Sequence, residues 1–209
     1  MNQIPLYKPL ESPLEELFAF NLEKYLDSSI NLQNQIEVET ICGNFRIDFV
    51  AYSKIKRIAF ECDGADYHNV ARDEWRDAMI LGAKAVDVIY RLRGSDLTYH
   101  IEDCLYLISK WEPEIFSQRG KINLEILASK ETKSWPINKS DTSVMITFYR
   151  QSRGNNNPLY IFIERRLLEM PAGQRSFWKA LFKYAEERGS GNLDKIIEQY
   201  WKEKILNFE

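Results

Sequence analysis

Two short acidic segments carry the residue types that this sequence could use for chemistry. Asp48 lies within the β-like run Arg46-Ile47-Asp48-Phe49-Val50, and Glu61 and Asp63 lie in the run Ala59-Phe60-Glu61-Cys62-Asp63-Gly64. Because side chains alternate between the two faces of a strand, Glu61 and Asp63 should share one face of a sheet. The competing interpretation is a hydrated sheet surface that has no special role.

The spacing between the two segments predicts how they pair. If residues 53–56 connect the strands, Tyr52 lies opposite Arg57, and equal steps along both strands bring Asp48 directly opposite Glu61. Directly opposed residues have Cβ atoms roughly 4.5 to 5.5 Å apart, and like charges placed there are destabilising. Protonation of one carboxyl, a basic side chain or a divalent cation must offset this repulsion. If a cation does so, oxygen ligands favour Mg²⁺ or Mn²⁺ over zinc.

The elements around these acids predict a sheet with flanking helices. Ser12-Pro13-Leu14-Glu15 is a capping-box pattern that begins a helix over 13–27. Gly43-Asn44 is a hairpin-turn signal, and a two-residue turn there would add Glu39 opposite Asp48. The predicted order is αβββαβα, in which the strands of a meander cover 35–42, 45–52 and 57–63, followed by a helix over 71–83, a strand over 85–90 and a helix from Ser95 up to Pro113.

The pattern changes beyond Gly120, so we divide the chain into a core over 1–119 and an α+β extension over 120–209. The extension is predicted to contain β-like runs at 122–128, 144–149 and 159–163, then helices at 174–188 and 193–206. Basic residues alternate there with aromatic ones, a mixture that suits phosphates and bases; Arg150 and Arg153 are candidates for such contacts. A buried stripe with a basic outer face, dimerisation and partner binding are the alternatives.

Composition excludes several classes of protein. Hydrophobic residues make up 44% of the 209 residues, which excludes global disorder, and no uncharged apolar run is long enough to cross a bilayer. We therefore expect a soluble, cytoplasmic protein without membrane partners. Three widely spaced cysteines argue against a disulfide framework and a structural zinc site, and two histidines exclude a multi-histidine metal site. The core carries 13 basic and 20 acidic residues and the extension 15 and 11, an asymmetry that suits a cation site joined to a polyanion-binding part.

Over about residues 10–112 the sequence resembles the PD-(D/E)XK nuclease superfamily, and most closely its branch related to the very-short-patch-repair endonucleases. The resemblance depends on an ordered series of short motifs rather than on a single match. The series is Ser12-x-x-Glu15, Gln35, Asp48-Phe49, Glu61-x-Asp63-Gly64, His68, Asp73-x-x-Arg76, Gly82 and Arg91. It implies a restriction-endonuclease-like αβββαβα core with a mixed central sheet.

The resemblance also implies a function, the Mg²⁺-dependent hydrolysis of nucleic-acid phosphodiester bonds. DNA is the expected substrate, without exclusion of RNA, in repair, mobile-element processing or antiviral defence. Asp48 and Glu61 would be metal ligands, with the carbonyl of Cys62 as a third and Glu15 as a fourth. The alternative for Glu15 is a capping-box acid bonded to the start of its helix.

Two positions depart from the superfamily pattern. Ile47 precedes Asp48 where proline is usual, and Asp63 stands where lysine is usual, although the similar branch commonly has an acid there. Asp63 could hold a second cation. His68 could act as general acid or base near neutral pH, or be an ordinary surface histidine.

The remaining candidates are contacts to nucleic acid. Arg91, with Arg93 close by, is expected to touch a phosphate, whereas the helical spacing of Arg76 favours ion pairs with neighbouring acids. Gln35 would polarise the scissile group or form a hydrogen bond at a strand edge. A binding module that does not cut, and a nuclease that docks through 120–209 onto a helicase or another effector, are the competing functions.

Overall fold

The computed structural model describes residues 8–64, 70–148, 158–166, 177–189 and 191–206. Helices and strands cover most of this length, and a short 3₁₀ turn at Pro113–Ile115 follows the fourth helix. The elements in chain order are α1 (Pro13–Glu23), β1 (Asn31–Thr40), β2 (Gly43–Tyr52), β3 (Arg57–Asp63), α2 (Val70–Gly82), β4 (Val88–Arg93), α3 (Gly94–Tyr99), α4 (Ile101–Trp111), α5 (Gln118–Leu127), α6 (Lys130–Lys133), β5 (Ser143–Ile146), β6 (Leu159–Arg165), α7 (Phe177–Glu187) and α8 (Leu193–Leu206).

The strands form one six-stranded sheet in the order β1-β2-β3-β4-β6-β5. β1, β2 and β3 are the antiparallel meander that the sequence predicts, and Tyr52 pairs with Arg57 as expected. β3 and β4 run parallel, and α2 lies in the crossover that such a pair requires. β6 is antiparallel to both β4 and β5. The chain is therefore an α/β protein with a mixed sheet.

Apolar side chains fill both faces of the sheet because helices cover each face. On one face Phe18 of α1 lies between Phe49 and Phe60, with ring centroids 5.5 Å and 5.2 Å apart, and α4 and α5 complete this core. On the other face α2, α7 and α8 pack together, through residues that include Met79 and Leu181. Removal of this apolar surface from water is the main contribution to the stability of the fold. The same packing holds the helices in place against the sheet, and with them the polar residues that some helices direct toward it.

The predicted αβββαβα order is confirmed, with the last helix divided in two. His100 has non-helical backbone angles, φ −139° and ψ 29°, which separate α3 from α4. α1 also ends at Glu23 rather than at residue 27. β4 begins at Val88, because the N–H groups of residues 83–85 still donate to carbonyls of α2. Arg91 therefore lies inside a strand rather than after it.

The first hairpin turns two residues earlier than predicted. Thr40 pairs with Gly43, so the turn consists of Ile41 and Cys42, and Glu39 pairs with Asn44. Thr40 stabilises the turn, since its hydroxyl accepts from the Cys42 N–H and donates to the Gly43 carbonyl. The expectation that Glu39 faces Asp48 is wrong for this reason.

The predicted strand over 122–128 is a helix, α5. Ile122, Leu124 and Ile126 alternate with polar residues, but only Leu124 is buried, and Ile126 is 72% exposed. The side chain of Ser117 accepts a hydrogen bond from the Gly120 N–H and so caps the helix start. The capping signal at Ser117 outweighs the β-like alternation that follows it. The prediction of a strand did not take this cap into account.

The other elements predicted in the C-terminal part are confirmed in type, whereas α6 was not predicted. β5 and β6 are strands, and α7 and α8 are helices. Both strands belong to the same sheet as the meander, and the two helices pack on the face that α2 covers. Within the described ranges no helix is both long and apolar enough to cross a membrane.

Candidate active site

One open cavity of about 840 Å³ collects most of the acids that the sequence analysis singled out. It lies where β2 and β3 meet α1 and α2. Asp48, Glu61, Asp63 and Glu15 line it together with Cys62, and Arg76 and Arg91 provide the basic side chains of its wall. The structure therefore brings together the predicted carboxylates from three separate parts of the chain.

Asp48 and Glu61 occupy adjacent positions on neighbouring strands. Phe49 pairs with Phe60, and the same register carried one step further sets Asp48 opposite Glu61, as the sequence predicts. Asp48 Oδ2 accepts a hydrogen bond of 2.8 Å from the Cys62 N–H. A side-chain oxygen thus takes the place of a backbone carbonyl where the ladder between β2 and β3 ends, which holds the Asp48 carboxyl beside β3.

Both carboxyl groups hold their protons more tightly than usual. Glu61 is 3% exposed, and burial raises its pKa to about 8, with the nearby Asp48 adding to the rise and Arg76 opposing it. Burial likewise raises the pKa of Asp48 to about 6, against the hydrogen bond from Cys62. Desolvation disfavours the charged forms, and the positive charge of Arg76 offsets this effect only in part.

Arg76 is the basic side chain that enters this acidic cavity. Its guanidinium Nη2 donates to Glu61 Oε1 over 2.8 Å and also to the carbonyl of Arg46. Helical spacing favoured ion pairs with neighbouring acids. Asp77 does attract the guanidinium, but the hydrogen-bonded partner is Glu61, on β3. Of the three ways to offset the repulsion between Asp48 and Glu61, the structure shows a basic side chain, that of Arg76, beside Glu61.

Arg91 and Asp77 form a buried ion pair behind the cavity. Arg91 Nε and Nη2 each lie 2.7 Å from an oxygen of Asp77, and Nη1 lies 3.0 Å from Asp63 Oδ1. Asp77 is fully buried and Arg91 is 8% exposed. The predicted contact of Arg91 with a phosphate would require it to leave these partners. Arg91 is thus a structural partner of Asp77.

Glu15 has the capping role that the sequence offered as its alternative. It accepts hydrogen bonds from the Ser12 hydroxyl (3.1 Å) and the Glu11 N–H (3.2 Å), and Gln35 Nε2 donates to it over 2.7 Å. Gln35 is 2% exposed and has a left-handed backbone, φ 53°. Its Oε1 has no hydrogen-bond partner among the residues that the structure describes.

The other predicted contacts lie further away or cannot be placed. Arg93 forms two hydrogen bonds to Asp96, 2.8 and 2.9 Å long, at the start of α3. His68, Arg150 and Arg153 lie outside the described residues. Sequence reasoning missed the carbonyl of Arg46 as a partner of Arg76, and no signal in the sequence indicated that contact.

The oxygen donors of the cavity suit a hard divalent cation. Mg²⁺ keeps several waters and is usually bound through one or two carboxylates together with substrate phosphates. Asp48 and Glu61 meet that requirement, and each has one oxygen that does not form the hydrogen bonds given above. Within the described ranges, no group of three or more histidine, cysteine or acidic side chains is gathered closely enough to hold an ion by itself.

Comparisons with known proteins give no relative from which to argue. The chain matches no protein-family model, and searches of curated proteins and of solved structures find no significant match.

Proposed function

We propose that this chain is a Mg²⁺-dependent nuclease that hydrolyses phosphodiester bonds in DNA, built on a restriction-endonuclease-like core. One observation supports the proposal above the others. Asp48 and Glu61, on adjacent strands of an αβββαβα arrangement, line one open cavity with raised pKa values. Acids held in this way are suited to receive a cation, and perturbed carboxyl groups in a cleft are typical of functional sites.

The acidity of the cavity determines what the reaction needs. A phosphodiester is an anion, and a wall of Asp48, Glu61, Asp63 and Glu15 would repel it without added positive charge. Asp48 and Glu61 would hold the cation, with the Cys62 carbonyl as a further donor. When bound, Mg²⁺ supplies the charge that neutralises the phosphate and acidifies water for attack.

Arg76 has a second task in this proposal. In the structure its guanidinium neutralises Glu61. With a cation at Glu61, that guanidinium would be free to donate to phosphate oxygens from the same cavity wall. It would thereby supply the side-chain positive charge that the superfamily usually takes from the lysine at the position of Asp63.

The hydrogen bonds around Glu15 set the shape of the wall. Ser12 and Glu11 hold its carboxylate at the start of α1, and Gln35 fixes it from β1. A carboxylate with three donors is fixed in place, so Glu15 orients water or a cation without changing its own conformation.

A second candidate function has an observation in its favour. Arg76 and Arg91 already pair with Glu61 and Asp63, as they would in a nuclease-like module that binds nucleic acid or a partner without cutting it. In that case the ion pairs are permanent parts of the fold, and added Mg²⁺ does not displace them.

Cleavage of supercoiled plasmid in Mg²⁺ or Mn²⁺ separates the two functions. We expect nicked and linear products from the wild type, and a loss of at least a hundredfold in rate for Asp48→Asn and Glu61→Gln. Glu39→Gln is the matched control, because Glu39 is an exposed acid on β1 that does not line the cavity. If all four proteins cleave equally, the activity belongs to a contaminant and the proposal fails.

A further inference from the structure

A second cavity, of about 420 Å³, adjoins the first at the ends of β3 and β4. Its size is within the range of small-ligand sites. The two cavities share the wall residues Asp63, Gly64, Asp73 and Arg91. A molecule in the second cavity would therefore lie next to a phosphate held at Asp48 and Glu61.

One wall of this cavity is aromatic. Tyr160 and Phe162 lie two residues apart on β6 and both line the cavity, whereas Ile161 and Ile163 between and after them face the core. The guanidinium of Arg93 lies over the Tyr160 ring, 5.5 Å from its centroid. Half-buried rings facing a polar cavity offer a surface on which a flat ring can stack.

Another part of the lining comes from α2 and is acidic. Glu74 is half-buried and lines the cavity, and in the part of the chain that the structure describes it has no hydrogen-bond or ion-pair partner. Asp77, one turn further along, is neutralised by Arg91. A carboxylate without a partner accepts hydrogen bonds from amino groups and repels phosphate, so this part of the lining favours an amino group over a phosphate.

We infer that this cavity binds a single nucleobase that bears an amino group, stacked on Tyr160 and Phe162 and hydrogen-bonded to Glu74. The inference rests on the proposed function for the position of the neighbouring phosphate. A base inside a duplex cannot enter such a cavity, so it must come from a single strand or be extruded from its stack. The nucleic acid that suits both cavities is therefore unpaired, at least locally, beside the bond to be cut.

Binding of labelled single-stranded DNA in EDTA tests this inference without any cleavage. Fluorescence anisotropy would compare short oligomers of deoxycytidine, of thymidine and of abasic deoxyribose. We expect the wild type to bind the cytosine oligomer most tightly, because it alone has an amino group, and the abasic one least tightly. Loss of stacking should weaken binding by about tenfold or more.

Variants assign the effect to the cavity. The double variant Tyr160→Leu, Phe162→Leu should bind cytosine and abasic oligomers alike, and Glu74→Gln should bind cytosine and thymidine alike. Tyr99→Leu is the control, since Tyr99 is an exposed ring that lines neither cavity. If the wild type binds cytosine and abasic oligomers equally, the inference is wrong, and that result needs no variant to fold.

Failure of the inference and failure of the proposed function give different results. If the protein discriminates between the oligomers in EDTA but does not cut plasmid in Mg²⁺, the base site is supported and the nuclease proposal fails. If it cuts plasmid but binds oligomers with and without bases equally, the nuclease proposal is supported and the base site is wrong.

Discussion

Arg76 and Glu61 form an ion pair in the middle of the acidic cavity, with 2.8 Å between Nη2 and Oε1. Both side chains are largely buried, at 14% and 4% exposure. The pair joins α2 to β3, the strand that carries two of the candidate catalytic acids. It therefore links the charge of the site to the position of a helix.

Removal of the guanidinium should strengthen cation binding. Arg76→Ala takes a positive charge away from Glu61, and we predict that Mn²⁺ then binds about tenfold more tightly in calorimetric titrations without DNA. Arg72→Ala is the control, because Arg72 lies one turn earlier on the same helix and pairs with Asp194 at the surface. Equal Mn²⁺ affinity in wild type and Arg76→Ala would show that the arginine does not compete with a cation.

Stability without metal should decrease as the pH rises. Burial raises the pKa of Glu61 from 4.5 to about 8, so the folded protein retains a proton that the unfolded chain releases. Its stabilising contribution is complete below about pH 4.5 and is lost as the pH rises through about 8. We predict a loss on the order of a few kcal/mol across this window, seen in urea titrations in EDTA.

The variant Glu61→Gln should remove the pH dependence between about pH 7 and 8, because glutamine does not titrate. Asp48 and Glu164, whose pKa values are raised to about 6 and about 7, have the same sign and should leave a reduced slope at lower pH. Glu39→Gln should keep the slope of the wild type. A Glu61→Gln protein as pH-dependent as the wild type would contradict the assignment.

The buried pair behind the cavity should be costly to break. Asp77→Asn leaves the Arg91 guanidinium buried with only Asp63 beside it, and we predict a loss of about 3 kcal/mol in the free energy of unfolding. Asp194→Asn, which breaks the exposed pair with Arg72, should cost less than about 1 kcal/mol. Similar values for the two variants would mean that the buried pair is not an important structural contact.

A methyl group at the end of α2 should disturb its packing on α7. The Cβ atom of an alanine at residue 82 would overlap the ring of Phe182, so Gly82→Ala must displace that ring. We predict a destabilisation of about 1 to 3 kcal/mol, measured by thermal unfolding. The double variant Gly82→Ala, Phe182→Ala removes the overlap. It should therefore be as stable as Phe182→Ala alone.

Local patterns predicted the meander and the register between β2 and β3 that brings Asp48 near Glu61. The four-residue connection at 53–56 fixed the register, because Tyr52 and Arg57 are the first pair after a tight turn. The first hairpin was placed two residues too late, since the glycine signal marks the start of β2 and Thr40 stabilises a turn of apolar residues. Turn position depends there on a side-chain hydrogen bond that composition does not reveal.

Contacts between distant segments could not be predicted from spacing. Arg76 has acids at favourable helical positions, yet it pairs with Glu61, because the packing of α2 on the sheet sets where its side chain ends. Gln35 was considered as a strand-edge hydrogen bond, but its left-handed backbone and its bond to Glu15 depend on α1 lying over β1. Both outcomes follow from tertiary packing.

The pairing of β6 with β4 makes the last third of the chain indispensable to the first. Truncation after residue 119 would strip β4 of its neighbour and leave a row of backbone amides and carbonyls open along a strand of mostly buried residues. Exposed edges of this kind recruit other strands and lead to aggregation. Grafting the acidic cavity onto another protein would therefore require transfer of the whole sheet.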